Sequence, residues 1–179
     1  MGEKFYALMQ QKKEHELTAV LNCNERSGLF GLSLTREEAY ELTCRRDESL
    51  KKYGRVEFGK GILDKLIDTF CDSQYIDQYH YLDMLTELQD IFYLFKNESA
   101  DKLSDDELLT FMKEQFETVC AGDTEYLEHT CLSRFASAIR AGYTGYGKSE
   151  GKQEYDQFSE EQRWDKDLYL SVLKDLCWS

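Results

Sequence analysis

The sequence predicts an all-α fold, a compact bundle of about six to seven helices with at most one short extended segment near residues 55–58. Three observations carry this. Proline is absent from all 179 residues, so helices must begin at caps and end at glycines. Three capping boxes open with Thr35, Ser104 and Ser159, each followed three residues later by Glu or Gln. Apolar residues recur at spacings of three and four along most of the chain.

The first helix spans roughly residues 3–22, on Phe5, Leu8, Met9, Leu17, Val20 and Leu21. Asn22 to Gly31, with asparagines, Ser27 and two glycines, reads as a loop. Thr35-Arg36-Glu37-Glu38 then starts a helix that runs to about Tyr53 and stops at Gly54, where a left-handed residue is needed. A strand-like burst, Arg55 to Phe58, leads through Gly59-Lys60-Gly61 into the stripe Ile62, Leu63, Leu66, Ile67 and Phe70. Ser73 is placed to cap the longest pattern, Ile76, Tyr79, Leu82, Leu85, Leu88, Ile91, Phe92 and Phe95, the expected central helix. Ser104 caps a helix with Leu108, Met112, Phe116 and Val119 that ends at Gly122. Thr124 caps another, with Leu127, Cys131, Phe135 and Ile139, ending near Gly142. Residues 1–142 thus form the helical core domain. Residues 143–158 are a Gly/Tyr-rich linker. Residues 159–179 form a C-terminal amphipathic helix with Trp164, Leu168, Val172, Leu173 and Leu176. Its apolar side needs cover, expected from the core, with a neighbouring molecule as the alternative.

Composition narrows the function classes. The net charge is −13, and residues 76–129 carry 14 acidic against 3 basic side chains. Such a field repels polyanions, so nucleic acid is not an expected partner. A smaller basic group, Arg45, Arg46, Lys51, Lys52, Arg55, Lys60 and Lys65, reads as solvated helix faces or as a surface that docks on the acidic stretch. No apolar run is long enough to cross a bilayer, and Met1-Gly2-Glu3-Lys4-Phe5 lacks the apolar core of an export signal. Six scattered cysteines form no Cys-x-x-Cys pair, so reduced thiols in a cytoplasmic protein are expected, without a zinc site.

Gly59-Lys60-Gly61 has the sharpest chemical content. Backbone freedom at a helix start, beside a lysine, suits an anion. The spacing matches neither a P-loop nor a dinucleotide fingerprint, and a plain turn explains the glycines. A second candidate is the polar group Asp72, Ser73, Tyr75, Asp77 and His80, where Asp77 and His80 are placed one helical turn apart. Glu125 and His129 stand four apart. These pairs lack the Glu-x-x-His set of di-iron bundles, so no metal and no cofactor is assigned. No serine elbow and no local Cys-His signature points to nucleophilic catalysis.

Residues 30–112 carry the runs Gly-Arg-Val-Glu-Phe-Gly-Lys-Gly-Ile-Leu, Phe-Cys-Asp-Ser-Gln-Tyr-Ile-Asp-Gln, and Phe-Lys-Asn-Glu-Ser followed by Leu-Ser-Asp-Asp-Glu-Leu. In these the chain resembles an uncharacterised bacterial family described only as a domain of unknown function. The resemblance implies a bacterial cytoplasmic protein and no particular activity. The function expected from the residues is a non-enzymatic protein-interaction or regulatory module, with a protein partner or self-association. The alternative is a small-molecule or phosphate-ligand binding protein, or an enzyme, using the Gly59–Gly61 turn.

Overall fold

The computed structural model describes residues 2–57 and 61–142. Phe58, Gly59, Lys60, the expected linker and the expected C-terminal helix lie outside the described residues. Every regular element among the described residues is helical, and none is a strand. The all-α expectation is met, and the burst at Arg55, Val56 and Glu57 is a plain connection. The chain divides into two compact units, residues 1–97 and residues 98–179.

In the first unit, α1 (Gly2–Asn22) packs on α3 (Arg36–Lys52), on α2 (Asn24–Ser27) and on α4 (Leu63–Phe70). The stretch expected as a loop after Asn22 is instead α2 followed by a single 3₁₀ turn, Gly28–Phe30. Its asparagine is used as a clamp. Asn24 Nδ2 donates to the Leu34 carbonyl at 2.8 Å, and Leu34 N donates to Asn24 Oδ1 at 2.8 Å. That pairing satisfies two backbone groups, so the segment can stay helical and still turn. The capping box of α3 is complete: Glu38 N donates to Thr35 Oγ1 and Thr35 N donates to Glu38 Oε2. The helix ends at Lys52, and Gly54 takes φ +63°, the left-handed stop the sequence predicts.

The long pattern after α4 begins later than expected. Helix α5 is Tyr81–Glu98, whereas Ile76 and Tyr79 lie in a run of turns. Ser73 does not cap α5; its Oγ accepts from Tyr75 N at 3.2 Å inside a tight turn. The carboxylate at the start of α5 is Asp77, whose Oδ1 accepts from His80 N at 2.8 Å. A carboxylate is the stronger acceptor for an orphan amide, and it lies nearer the first unbroken helical turn. Helix α5 buries Tyr81, Leu85, Leu88, Gln89, Ile91, Phe92, Tyr93, Phe95 and Lys96. At about 100° per residue, these cover more than half the circumference, as befits a central helix. Each fully buried Leu, Ile or Phe removes enough apolar surface from water to contribute about 1.5–3 kcal/mol.

The second unit is built more locally. Its first helix, α6 (Asp105–Thr118), starts at the complete Ser104/Glu107 capping box. The next helical turn, α7 (Thr124–Tyr126), is capped by Asp123, which accepts from Tyr126 N at 3.0 Å; Thr124, the expected cap, is already the first helical residue. The helix then widens into a π-helical stretch, Leu127–Leu132, before α8 (Ser133–Arg140). Phe111 and Phe135 stack with centroids 3.6 Å apart and rings 13° from parallel. Helix α8 is tied to the start of the unit by Arg140 Nη1, 3.5 Å from Glu98 Oε2.

Candidate functional site

Of the Gly59-Lys60-Gly61 turn, Gly61 is described. It holds φ +61°, a conformation that favours glycine. A side chain there would collide with the Glu57 carboxylate and stand 3.1 Å from Arg46 Nη1. The glycine is therefore needed for close approach as well as for backbone freedom. What it approaches is a charged group drawn from α1, α3 and the connection before α4.

Arg46 is that group's centre. Its side chain is 2% exposed, although the basic stretch it belongs to is expected as solvated helix faces or as a docking surface. Helix periodicity explains the burial: Ala39, Leu42, Thr43, Arg46 and Ser49 share the inner face of α3. Arg46 Nη2 donates to Glu16 Oε1 at 2.8 Å, and Glu16 is itself buried beside Leu17 on α1. Arg46 Nε lies 4.0 Å from Glu57 Oε2. Asp47, 3.8 Å from Arg46, in turn accepts from Lys13 Nζ at 2.7 Å. A guanidinium suits this place, because its planar fork can serve several carboxylates at once. The network joins α1, α3 and the connection before α4.

A second polar centre lies on Asp90 of α5. Ser49 Oγ donates to Asp90 Oδ1 at 3.0 Å, and Tyr53 Oη donates to Oδ2 at 3.0 Å. Lys52 Nζ reaches Oδ2 at 3.4 Å and lies 5.0 Å from the centre of the Tyr53 ring. Its hydrogen bond to Tyr53, and then the Asp90 charge, hold the lysine above its ordinary value. Burial pushes the Tyr53 phenol up. Thus Lys52, from the basic stretch, pairs with Asp90, from the acidic one, inside the first unit.

The candidate polar group divides. Ser73 is buried, Tyr75 is half-buried, and Asp72, Asp77 and His80 are exposed. Asp77 and His80 do come together, with His80 Nδ1 at 3.0 Å from both carboxylate oxygens. They do so in a turn ahead of α5 rather than along a helix face. The His80 hydrogen bonds hold the Asp77 carboxyl below its ordinary value. Next to them the Gln78 amide clamps Ser33, accepting from its N–H at 2.7 Å and donating to its carbonyl at 2.9 Å. The tyrosine cluster also splits: Tyr79 is exposed, whereas Tyr81 is buried and its phenol is pushed far above the ordinary value, chiefly by that burial. In the second unit, the acid beside His129 is Glu128, 3.9 Å from Nε2. Among the described residues, no three His, Cys, Asp or Glu side chains are grouped to hold a metal ion. No helix among them is long and apolar enough to cross a membrane.

A family model covers residues 19–145 of the chain, from within α1 to just beyond α8. The chain belongs to DUF6323, a family of unknown function. The DUF6323 region takes in the whole of residues 30–112, which carry the resemblance, and extends beyond them at both ends. It includes Arg46, Glu57, Gly61 and Asp90, whereas Glu16 and the first turns of α1 precede it. No curated protein and no solved structure matches the chain.

Proposed function

We propose that the chain is a non-enzymatic protein-interaction module that self-associates, α1 of one copy receiving residues 159–179 of a second copy. One observation carries the reading. The buried face of α1 holds Glu16, Leu17 and Val20. Counting back by three and four residues, that face passes through Lys13 to Met9, Tyr6, Phe5 and Gly2. There the helix outruns its cover: Phe5 is 66%, Tyr6 67% and Met9 52% exposed. A contiguous apolar face left in water marks a docking surface more than scattered apolar residues do. The occupant is argued from the chain itself. Trp164, Leu168, Val172, Leu173 and Leu176 form an amphipathic pattern that needs an apolar counterpart, and the intervening stretch is rich in glycine.

The test uses the full chain. Light scattering of the wild type is expected to give a dimer or larger species. Phe5→Glu with Met9→Glu, and separately Leu168→Glu with Leu173→Glu, are each expected to return it to monomer with helix content kept. A monomeric wild type overturns the reading, as does association that survives both double variants.

A second reading keeps the Gly59–Gly61 turn as an anion site. It is favoured by the left-handed Gly61 and by the nearness of Arg46. It is opposed by the Glu57 carboxylate, which already stands against that glycine. A thermal-shift series with inorganic phosphate and nucleotides decides it, since a bound ligand must raise Tm by mass action. A flat response ends this second reading.

A further inference from the structure

We propose that Cys120 and Cys131 are a redox-active thiol pair, closed to a reversible disulfide by hydroperoxides. Their Sγ atoms lie 3.6 Å apart, and both side chains are buried. Ordinary packing brings sulfur atoms into contact, so proximity alone would leave them as small apolar groups. The backbone on both sides distinguishes this pair. A disulfide needs its sulfurs about 2.05 Å apart, so each must give way by less than an ångström. Both cysteines sit where the helix ladder is already broken. Cys120 lies in the closing turn of α6, its N–H reaching back to the Gln115 carbonyl at 2.9 Å. Ala121 and Gly122 follow with φ +48° and +84°. Cys131 lies in the π-helical stretch Leu127–Leu132, a loosened turn of the kind found at functional sites.

The chemistry balances with a hydroperoxide as the two-electron oxidant. The Cys120 sulfur attacks the terminal peroxide oxygen, and its thiol proton passes to the departing oxygen. The O–O bond breaks, water or an alcohol leaves, and Cys120 becomes a sulfenic acid. The Cys131 thiolate then attacks that sulfur, the S–O bond breaks, and hydroxide leaves to take up a proton as water. Cys120 is the entry point because it keeps 6% of its surface exposed, whereas Cys131 has 0%. With the second sulfur already in contact, the intermediate is captured before further oxidation. A small dithiol returns both thiols by exchange.

The experiment treats the full-length protein with hydrogen peroxide, alkylates it after denaturation, and maps the peptides by mass spectrometry. Of six alkylatable cysteines, two are expected to be lost, with one cross-linked peptide joining 120 to 131 and all six regained after dithiothreitol. Cys131→Ser is expected to trap Cys120 as a sulfenic acid reactive toward dimedone. Six thiols surviving peroxide overturn the proposal, as does a cross-link that leaves out either residue. The wild-type mapping decides the matter even where a serine variant folds poorly.

Discussion

The two units of the chain hold themselves together by different means. Residues 1–97 rely on polar contacts between segments far apart in sequence: Arg46 with Glu16, Asp90 with Ser49 and Tyr53, Gln78 with Ser33. Among the described residues of the second unit, caps and apolar contacts carry more of the load: Ser104 with Glu107, Asp123 with Tyr126, Cys120 with Cys131, and the Phe111–Phe135 stack, joined by the longer-range pairs Arg140 with Glu98 and Lys102 with the Ile139 carbonyl. Backbone strain divides the same way. Among the described residues of the first unit, the left-handed positions are the glycines Gly31, Gly54 and Gly61. The second unit also places Ala100, Asp101 and Ala121 there. Long-range charge specifies which helices meet, while short-range caps specify where helices begin. Caps serve both units, and the first adds a buried charge pair, Arg46 with Glu16, to them.

The comparison breaks hardest at Arg46. Arg46→Ala leaves Glu16 buried without its guanidinium and is expected to cost about 3–5 kcal/mol in urea unfolding. Replacing both, Arg46→Met with Glu16→Leu, should recover most of that loss. A small loss from Arg46→Ala alone would show that the first unit does not depend on buried charge. Gly61→Ala comes next, at about 2 kcal/mol, from a left-handed alanine pressed on Glu57. Ser104→Ala should cost about 1 kcal/mol, and Thr35→Ala a similar amount, because the same device serves both units. Ala121→Gly relieves a strained φ and is expected to stabilise by less than about 1 kcal/mol after the added chain entropy. A clear loss of melting temperature there would show that the alanine side chain matters.

The smallest effect is one of pH. A carboxylate depressed on folding contributes stability that is present above its unfolded pKa and lost as pH falls through the folded one. Asp77 is such a group, held down first by the His80 side chain and then by the His80 backbone N–H. Carbon-detected NMR titration should place its midpoint below the ordinary 3.8, and His80→Ala should move it back up. An unmoved midpoint would break the assigned pairing.

How much was legible in the sequence follows from the range of each signal. Thr35, Ser104 and Gly54 act on residues within one helical turn, and all three do what their neighbours predict. Ser73 misled because the turn it closes is as local as a cap, and only the carboxylate of Asp77 settles where α5 starts. Arg46 was readable in part. Its spacing from Ala39, Leu42 and Thr43 puts it on the inner face, but a charge there is credible only once Glu16 is known to face it. No spacing rule links residues thirty positions apart. Cys120 and Cys131 are closer in sequence, yet a turn and a π-helical stretch separate them, and neither has a pattern of its own.

That π-helical stretch has a consequence for how the chain tolerates change in length. A wide turn accommodates one residue more than a regular helix would, and the flanking faces keep their aim. Leu127 on one side and Phe135, Ala136 and Ile139 on the other are all buried across it. A chain lacking the exposed His129 would close into an uninterrupted α-helix with these four still turned inward. Deleting a single surface residue would thus leave the helix standing and its inner face in place, an outcome that circular dichroism and a melting curve would read together.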